Sequence, residues 1–553
     1  MTSRATLVEL GGAQAPLRRT PAEEIGASDR QAQFAASHAA GAHAFIAELP
    51  EGYHTPIGDG GYVLTQSQRL RLAVARVLAA DPRSVLLDNP TADLDTAGEV
   101  AVLPGLEALI RGREVVVRSA SPAVHAAIAR AAGEVAAPLA TRAGVVHPSA
   151  PATAVLRPDP ALPGLRHLLD PHDMAPLLGL TLDGAPTPDV RITSVRYKPG
   201  DNVVVQYSVA TPGGWSTAVA YAKDDSDVEA KPDRGRNRRL VERVRGRTPS
   251  PEPLRYLPEV SAMVQWLPLD VRLPLLSEPG SRLALRLAKR GLAEGGDDEP
   301  ELLRYWPRRR AVLRFGPHVI KVYRDAADFD AALRGLRASG GLRRVRTAPF
   351  EASVRTQRAT IQGLVPGHSP SMWPRSSEAA GVILAELHRD AALPLPATTA
   401  DDILNKSAVR AAFVAALLPE MREELDSLLS ELRVRAPSGL PPVTSHGNFH
   451  AGQLLADPEG MTLIDMDRLC LAPAAYDLAS FSAHAAFGRP GDLELVNATL
   501  DSLLEGYGGR PPGLEWFVAN CLLRRAPVPF RHQDEHWPEA VASLVGSARQ
   551  ALQ

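Results

Sequence analysis

The chain has 553 residues, 45% of them hydrophobic and 22% charged, the composition of folded domains and not of a disordered or fibrous protein. Lys and Arg number 61 against 63 Asp and Glu, a formal net charge of -2, so the global positive field that a nucleic-acid binder needs is absent. Cys470 and Cys521 are too few for a disulfide framework and are not spaced like a zinc site, and there is neither an apolar run long enough to span a membrane nor a secretory leader. The expectation is a cytoplasmic protein with no nucleic-acid partner and no direct membrane insertion.

Residues 1–135 carry the first organised pattern. A loop Leu64-Thr65-Gln66-Ser67-Gln68 opens a helix, the apolar strand "SVLLD" ends at Asp88 and is followed by Asn89, and "TADLD" ends at Asp95. Together these resemble the signature-to-D-loop half of an ATP-binding cassette domain of the exporter type, with Gln14 in the place of the Q-loop residue. In that family the signature loop and the following helix N-terminus grip nucleotide across a dimer. Here both glycines of the loop are gone, which puts side chains where backbone approaches phosphate. Asn89 stands at the catalytic Glu position and Ala120 at that of the switch histidine. No GxxxxGK[ST] occurs anywhere in the chain, so the lysine and amide nest of a principal phosphate site are missing. The resemblance implies a degenerate α/β unit that does not hydrolyse ATP. It would act as a scaffold, as a docking surface for a dimer or transporter partner, or stand as the remnant of a longer fused transporter.

The stretch 136–164 is rich in Ala and Pro with little periodicity and reads as a linker. A second junction lies at 293–300, "AEGGDDEP". On either side of it sits an internal echo. "RYKPGDNVVVQY" at 196–207 and "RYWPRRRAVLRF" at 304–315 share Arg-Tyr-x-Pro, a Val five positions beyond the Pro and a terminal aromatic, and each precedes a strand with a lysine, Lys223 and Lys321. Two related β-rich units are expected, at 165–292 and at 296–368 with a hinge. The basic run at 231–247 reads as a solvated helix face. From about 375 the apolar spacing is helical, which predicts a mostly α region over 369–553.

Within that region "SHGNFHAGQLL" at 445–455 reads as a strand or turn entering a Gly-containing loop. Two apolar strands follow around "DPEG", the second ending in Asp465-Met466-Asp467. Phosphoryl transfer from ATP needs metal ions against the phosphates and a residue orienting the acceptor hydroxyl. Asn448, Gln453 and Asp465 have the spacing for that arrangement. Asp465 is the strongest candidate, because a carboxylate after an apolar strand is costly to bury without a cation.

This region resembles the aminoglycoside phosphotransferase and choline kinase superfamily, relatives of the protein kinases. The resemblance implies a two-lobed protein-kinase-like phosphotransferase fold with ATP and Mg2+ as cofactors and a small-molecule acceptor. Lys321 would pair the phosphates, Gln362, Gly363 and Leu364 would form the hinge facing adenine, Gln453, Asp465 and Asp467 would hold the metal, and His446 would be structural. "AGVILAELHRD" and "APAAYDLASFSAH" fall where relatives carry similar segments.

The departures bear on activity. Relatives place Asp where Asn448 stands, and a neutral amide can hydrogen-bond a hydroxyl but cannot take its proton. A natural pseudokinase, a slow kinase and an introduced Asp→Asn change all fit. Lys321 also lacks an obvious Glu partner; Asp325, Asp328 or Asp330 are the substitutes within reach, or the ion pair is absent. His450 is either a solvent-facing loop residue or a functional one. The expected whole is a truncated cassette-like α/β unit followed by an α+β kinase-like fold with a duplicated β-rich N-lobe-like unit.

Overall fold

The computed structural model describes residues 8–11, 20–26, 30–47, 49–57, 62, 64–80, 84–88, 90, 91, 94, 96–110, 114–118, 156–182, 187–223, 235–292, 299–367, 374–457, 459–486, 489–534 and 536–553. The chain divides into two compact units, Met1–Pro148 and Ser149–Gln553. Gln14, Asn89, Asp95 and Ala120, most of the expected linker and the core of the 293–300 junction lie outside the described residues. No helix among the described residues is long and apolar enough to cross a membrane.

In the first unit β1 (Val8–Gly11), β2 (Ser84–Asp88) and β3 (Glu114–Arg118) form a parallel sheet in the order β1-β2-β3. Parallel neighbours require crossover connections, and the helix Thr96–Ile110 lies in the one between β2 and β3. Val85 and Leu87 share a core with Leu70, Val74 and Val77 of the helix Gln66–Ala80 and with Leu106 and Leu109.

The second unit opens with a meander of β4 (Val190–Lys198), β5 (Asn202–Thr211) and β6 (Gly214–Lys223). A helix Gly235–Val244 and a hairpin of β7 (Leu254–Leu257) and β8 (Ala262–Trp266) follow, and the sheet order is β4-β5-β6-β8-β7. The same plan then recurs. β9 (Glu301–Trp306), β10 (Arg310–Phe315) and β11 (His318–Tyr323) meander into the helix Ala326–Ser339. After the short β12 (Arg346–Thr347) comes a hairpin of β13 (Phe350–Val354) and β14 (Ala359–Gly363), giving the order β9-β10-β11-β14-β13. Both hairpins turn through a 3-10 turn, Pro258–Val260 and Arg355–Gln357, closed by a left-handed residue, Ser261 at φ 48° and Arg358 at φ 47°. The echo in the sequence is therefore a duplicated β-rich unit.

Register corrects one part of that echo. Val312 faces Lys321 across β10 and β11, whereas its counterpart Val204 faces Tyr221 across β5 and β6. Lys223 faces Asn202 and so corresponds to Tyr323. The first β unit thus has no ammonium where the second has Lys321. Instead the Arg308 guanidinium lies 3.7 Å from the ring centre of Tyr221. Asp270, fully buried, accepts from the Tyr305 hydroxyl and the Arg308 N–H, both at 2.8 Å, and so ties the second β unit to the segment that leaves the first.

The rest is mostly helical, as the spacing predicts. The apolar pattern over 407–435 divides at Leu418-Pro419 into the helices Ala400–Leu417 and Arg422–Val434, because proline supplies no N–H and disfavours helical backbone before it. β15 (Pro442–Ser445) enters the loop at His446. β16 (Leu454–Asp457) and β17 (Gly460–Leu463) form the expected hairpin, and β18 (Cys470–Pro473) returns to pair with β15. The helices Ala475–Ala485, Leu493–Tyr507, Leu514–Arg525, Val528–His532 and Trp537–Gln550 complete the unit.

Candidate active site

Lys321 is placed by β11, whose register fixes its side chain on the face away from the neighbouring Ile320 and Val322. Its ammonium lies 2.5 Å from Asp465 Oδ1 and 2.8 Å from Asp467 Oδ1, with the lysine 7% exposed. Asp467 Oδ2 accepts in addition from the Tyr323 hydroxyl at 2.5 Å and from Arg310 at 3.4 Å. Gln453 Nε2 donates to Asp465 Oδ2 at 3.2 Å and lies 2.9 Å from His450 Nε2. Residues 321, 453, 465 and 467, drawn from two β hairpins and a loop, therefore converge.

Burial opposes the charge on each partner, yet the ion pairs prevail. The Asp467 and Asp465 carboxylates hold the Lys321 ammonium above its ordinary range despite its burial. Lys321 and Arg310 likewise hold the Asp465 carboxyl well below the usual carboxylate range. Burial, then the charge of Asp467, pushes the Tyr323 phenol up. Asp465 adopts a left-handed backbone, φ 62° and ψ 43°. That conformation is strained for most side chains but tolerated by Asp, and it turns the chain sharply after β17.

The loop before Gln453 is held by a residue to which the sequence alone gave no role. Asp477, fully buried at the start of the helix Ala475–Ala485, accepts the N–H groups of His446 at 2.6 Å and Gly447 at 2.9 Å, and His388 Nε2 lies 3.4 Å away. Its only sequence signal was its place in the "AYDLA" segment. The His446 ring donates through Nε2 to the Ile464 carbonyl at 2.9 Å, which couples the loop to the residue before Asp465. Gly447 has φ 77°, and a Cβ there would lie 2.3 Å from the Arg468 carbonyl oxygen, so only glycine fits. Asn448 follows on this seat, partly exposed. The His450 ring stacks on that of His484, with centroids 4.2 Å apart.

Three carboxylates considered as partners for Lys321 point elsewhere: Asp325 pairs with Arg324, Asp328 with Arg309 and Asp330 with Arg355. Asp467 takes that place. In the hinge segment Gln362 is buried, the Gly363 N–H donates to Pro349 and the Leu364 N–H to Pro317, so these two amides already have backbone partners.

In the first unit Leu64 is buried, and Thr65 and Gln68 bond each other's backbone N–H at 2.8 and 3.2 Å. The helix Gln66–Ala80 thus begins with a capping box of its own side chains, at the point where an anion would otherwise be received. Asp88 ends β2 in register with Gly11 and Arg118.

Comparison with known proteins likens the C-terminal region to phosphotransferases and the N-terminal region to transporters. Residues 290–516 match the family described as "Phosphotransferase enzyme family" (APH). A choline/ethanolamine kinase family protein from Mesorhizobium loti superposes with a TM-score of 0.35 at 15% identity, over 49% of this chain and 94% of that one. The N-terminal region is similar to an ABC transporter and to a flippase. It is 46% identical over 82 residues to ABC transporter B family member 19 of Arabidopsis thaliana, 15% of this chain and 6% of that protein. It is 44% identical over 86 residues to the ATP-dependent lipid A-core flippase of Chromohalobacter salexigens, 16% of this chain and 15% of that protein. The chain spans less than a sixth of the length of either transporter.

Proposed function

We propose that the C-terminal region is an ATP-dependent phosphotransferase for a small hydroxylated molecule, an antibiotic, a sugar or a similar compound, slowed by Asn448 at the base position. The observation that carries this reading is the convergence of Lys321, Gln453, Asp465 and Asp467. The donor set suits magnesium, since two carboxylates and an amide carbonyl are hard oxygen ligands, and a half-turn of the Gln453 amide exchanges its nitrogen for its oxygen. Bound Mg-ATP would supply the phosphoryl group and the charge neutralisation. Lys321 would then leave the carboxylates to pair phosphate oxygens, Asp465 and Gln453 would hold the metal with Asp467 beside them, and residues 362–367 would face the base. Asn448 can orient an acceptor hydroxyl but leaves its proton to another acceptor.

A second reading, a non-catalytic pseudokinase or scaffold, is favoured by Asn448 and by the ion pairs that already satisfy the Lys321 ammonium. Magnesium-dependent ATP consumption by the parent chain and by Asn448→Asp, over a panel of hydroxylated metabolites, separates the two: the scaffold reading expects none in either. For residues 1–135 we propose a docking or dimer surface, tested by whether that segment retrieves a membrane transporter subunit or self-associates.

A further inference from the structure

Gln453 is not free to present either end of its amide. Its Nε2 lies 3.2 Å from Asp465 Oδ2 and 2.9 Å from His450 Nε2. A carboxylate oxygen can only accept, so with no cation between the two side chains the end of the amide that faces Asp465 is the nitrogen. The second N–H of that nitrogen meets His450, whose Nε2 receives it through a lone pair. A neutral imidazole carries one N–H, and that of His450 therefore sits on Nδ1.

This tautomer leaves the ring with a cost. Nδ1 is buried and has no hydrogen-bond partner among the described residues, and a buried N–H without an acceptor is destabilising. The ring is nonetheless firmly placed. It stacks on His484 with centroids 4.2 Å apart and planes 18° from parallel. Gly452 leaves room for its Nδ1 edge, since a Cβ there would lie 3.1 Å from His450 Cε1 and 3.2 Å from Nδ1. In the short turn Ala451–Gln453 the Gln453 N–H donates to the His450 carbonyl at 2.8 Å, which sets the two residues against each other.

The other neutral tautomer suits a different state of the site. An amide ligates a cation through its oxygen, which reverses the end of Gln453 that faces Asp465. A lone pair at His450 Nε2 would repel that oxygen, whereas an N–H there would donate to it, and Nδ1 would be left with an unpartnered lone pair instead of an unpartnered donor. We propose that His450 is a positioning residue of the metal site. Its single N–H stands on Nδ1 in the free protein, where Gln453 turns nitrogen toward Asp465, and on Nε2 when magnesium is held, where Gln453 turns oxygen. The ring is neutral in both states and acts through Gln453, not on a reactant. The inference rests on the phosphotransferase reading above.

The test uses the full chain labelled with 15N in histidine. Long-range 1H–15N spectra separate a ring nitrogen that carries hydrogen from one that carries a lone pair, and the signals lost in His450→Phe assign the ring. Spectra are recorded free of metal and with Mg2+ and a non-hydrolysable ATP analogue. The expected result is an Nδ1–H ring without metal and an Nε2–H ring with it. In parallel, Mg2+ is titrated by calorimetry, in the presence of the analogue, into the parent, His450→Phe and His450→Gln. His450→Phe keeps a ring to stack on His484 but cannot bond the amide, and should bind Mg2+ at least about tenfold more weakly at an unchanged melting temperature. His450→Gln, whose side chain can donate or accept, should recover part of that loss. The same tautomer in both states of the parent, or equal Mg2+ affinity in the parent and in folded His450→Phe, overturns the role of His450 and leaves the phosphotransferase reading standing, because the metal is still bound. A parent that binds neither Mg2+ nor the analogue overturns both.

Discussion

The Asp477 carboxylate holds two N–H groups of the Asn448 loop at 2.6 and 2.9 Å with no access to water. Charge-assisted bonds of this kind are each worth about 1.5–3 kcal/mol, and an amide in the same place would turn its own N–H group toward one of the donors. Asp477→Asn should therefore lower unfolding free energy by about 2–3 kcal/mol in denaturant titration and should weaken function without touching a reactant. An unchanged midpoint would show that the loop is held by other contacts. No local spacing records this role, because Asp477 acts on backbone atoms 30 and 31 positions away. Asp465 is legible as a carboxylate after an apolar strand, and Lys321, Gln453 and Asp467 through the resemblance of their segments to the phosphotransferase family; the structure brings the four together. The partner of Lys321 is not legible in this way. The candidates around the start of the helix Ala326–Ser339, three aspartates, are turned to arginines.

At the scale of elements, that helix matters through a glycine. A Cβ on Gly335 would lie 2.2 Å from the Met466 carbonyl oxygen, so the helix rests directly on the turn that carries Asp465 and Asp467. Gly335→Ala should cost about 1–3 kcal/mol through overpacking and should loosen nucleotide binding as the turn shifts. Retained stability and affinity would refute the contact's role. The stacked histidines set a pH response. Burial, then Arg525, holds His450 down to about 4 and His484 lower still, so both stay neutral in the fold. The unfolded chain takes up these protons below about 6.5, so stability should rise with pH across the window from about 4 to 6.5 and fall on acidification through it. Replacing His484 by Leu should flatten the melting temperature between pH 7 and pH 5, and an unaltered slope would count against the pair. Sequence pattern found the duplicated strands through Arg-Tyr-x-Pro and the hydrophobic runs, but it matched Lys223 to Lys321. The hairpin of β5 and β6 is longer than that of β10 and β11, and only pairing register shows that Tyr221 holds the equivalent place.

At the scale of the molecule, two regions that resemble nucleotide-binding families stand in one chain with unequal means. The first unit has a three-stranded parallel sheet and a capped helix start, and the chain contains no phosphate-loop lysine. The second unit brings together an ammonium, two carboxylates and an amide. A chain of residues 149–553 should therefore bind Mg-ATP as tightly as the full chain, and an affinity lower by about tenfold or more would assign the first unit a share in the site. The most direct measurement is Mg-dependent ATP binding and turnover in the parent, Lys321→Met and Asn448→Asp. Binding should be present in the parent and in Asn448→Asp and lost in Lys321→Met, and Asn448→Asp should turn over about 10²–10⁴-fold faster with a suitable acceptor. Equal nucleotide binding in Lys321→Met and the parent would contradict the site.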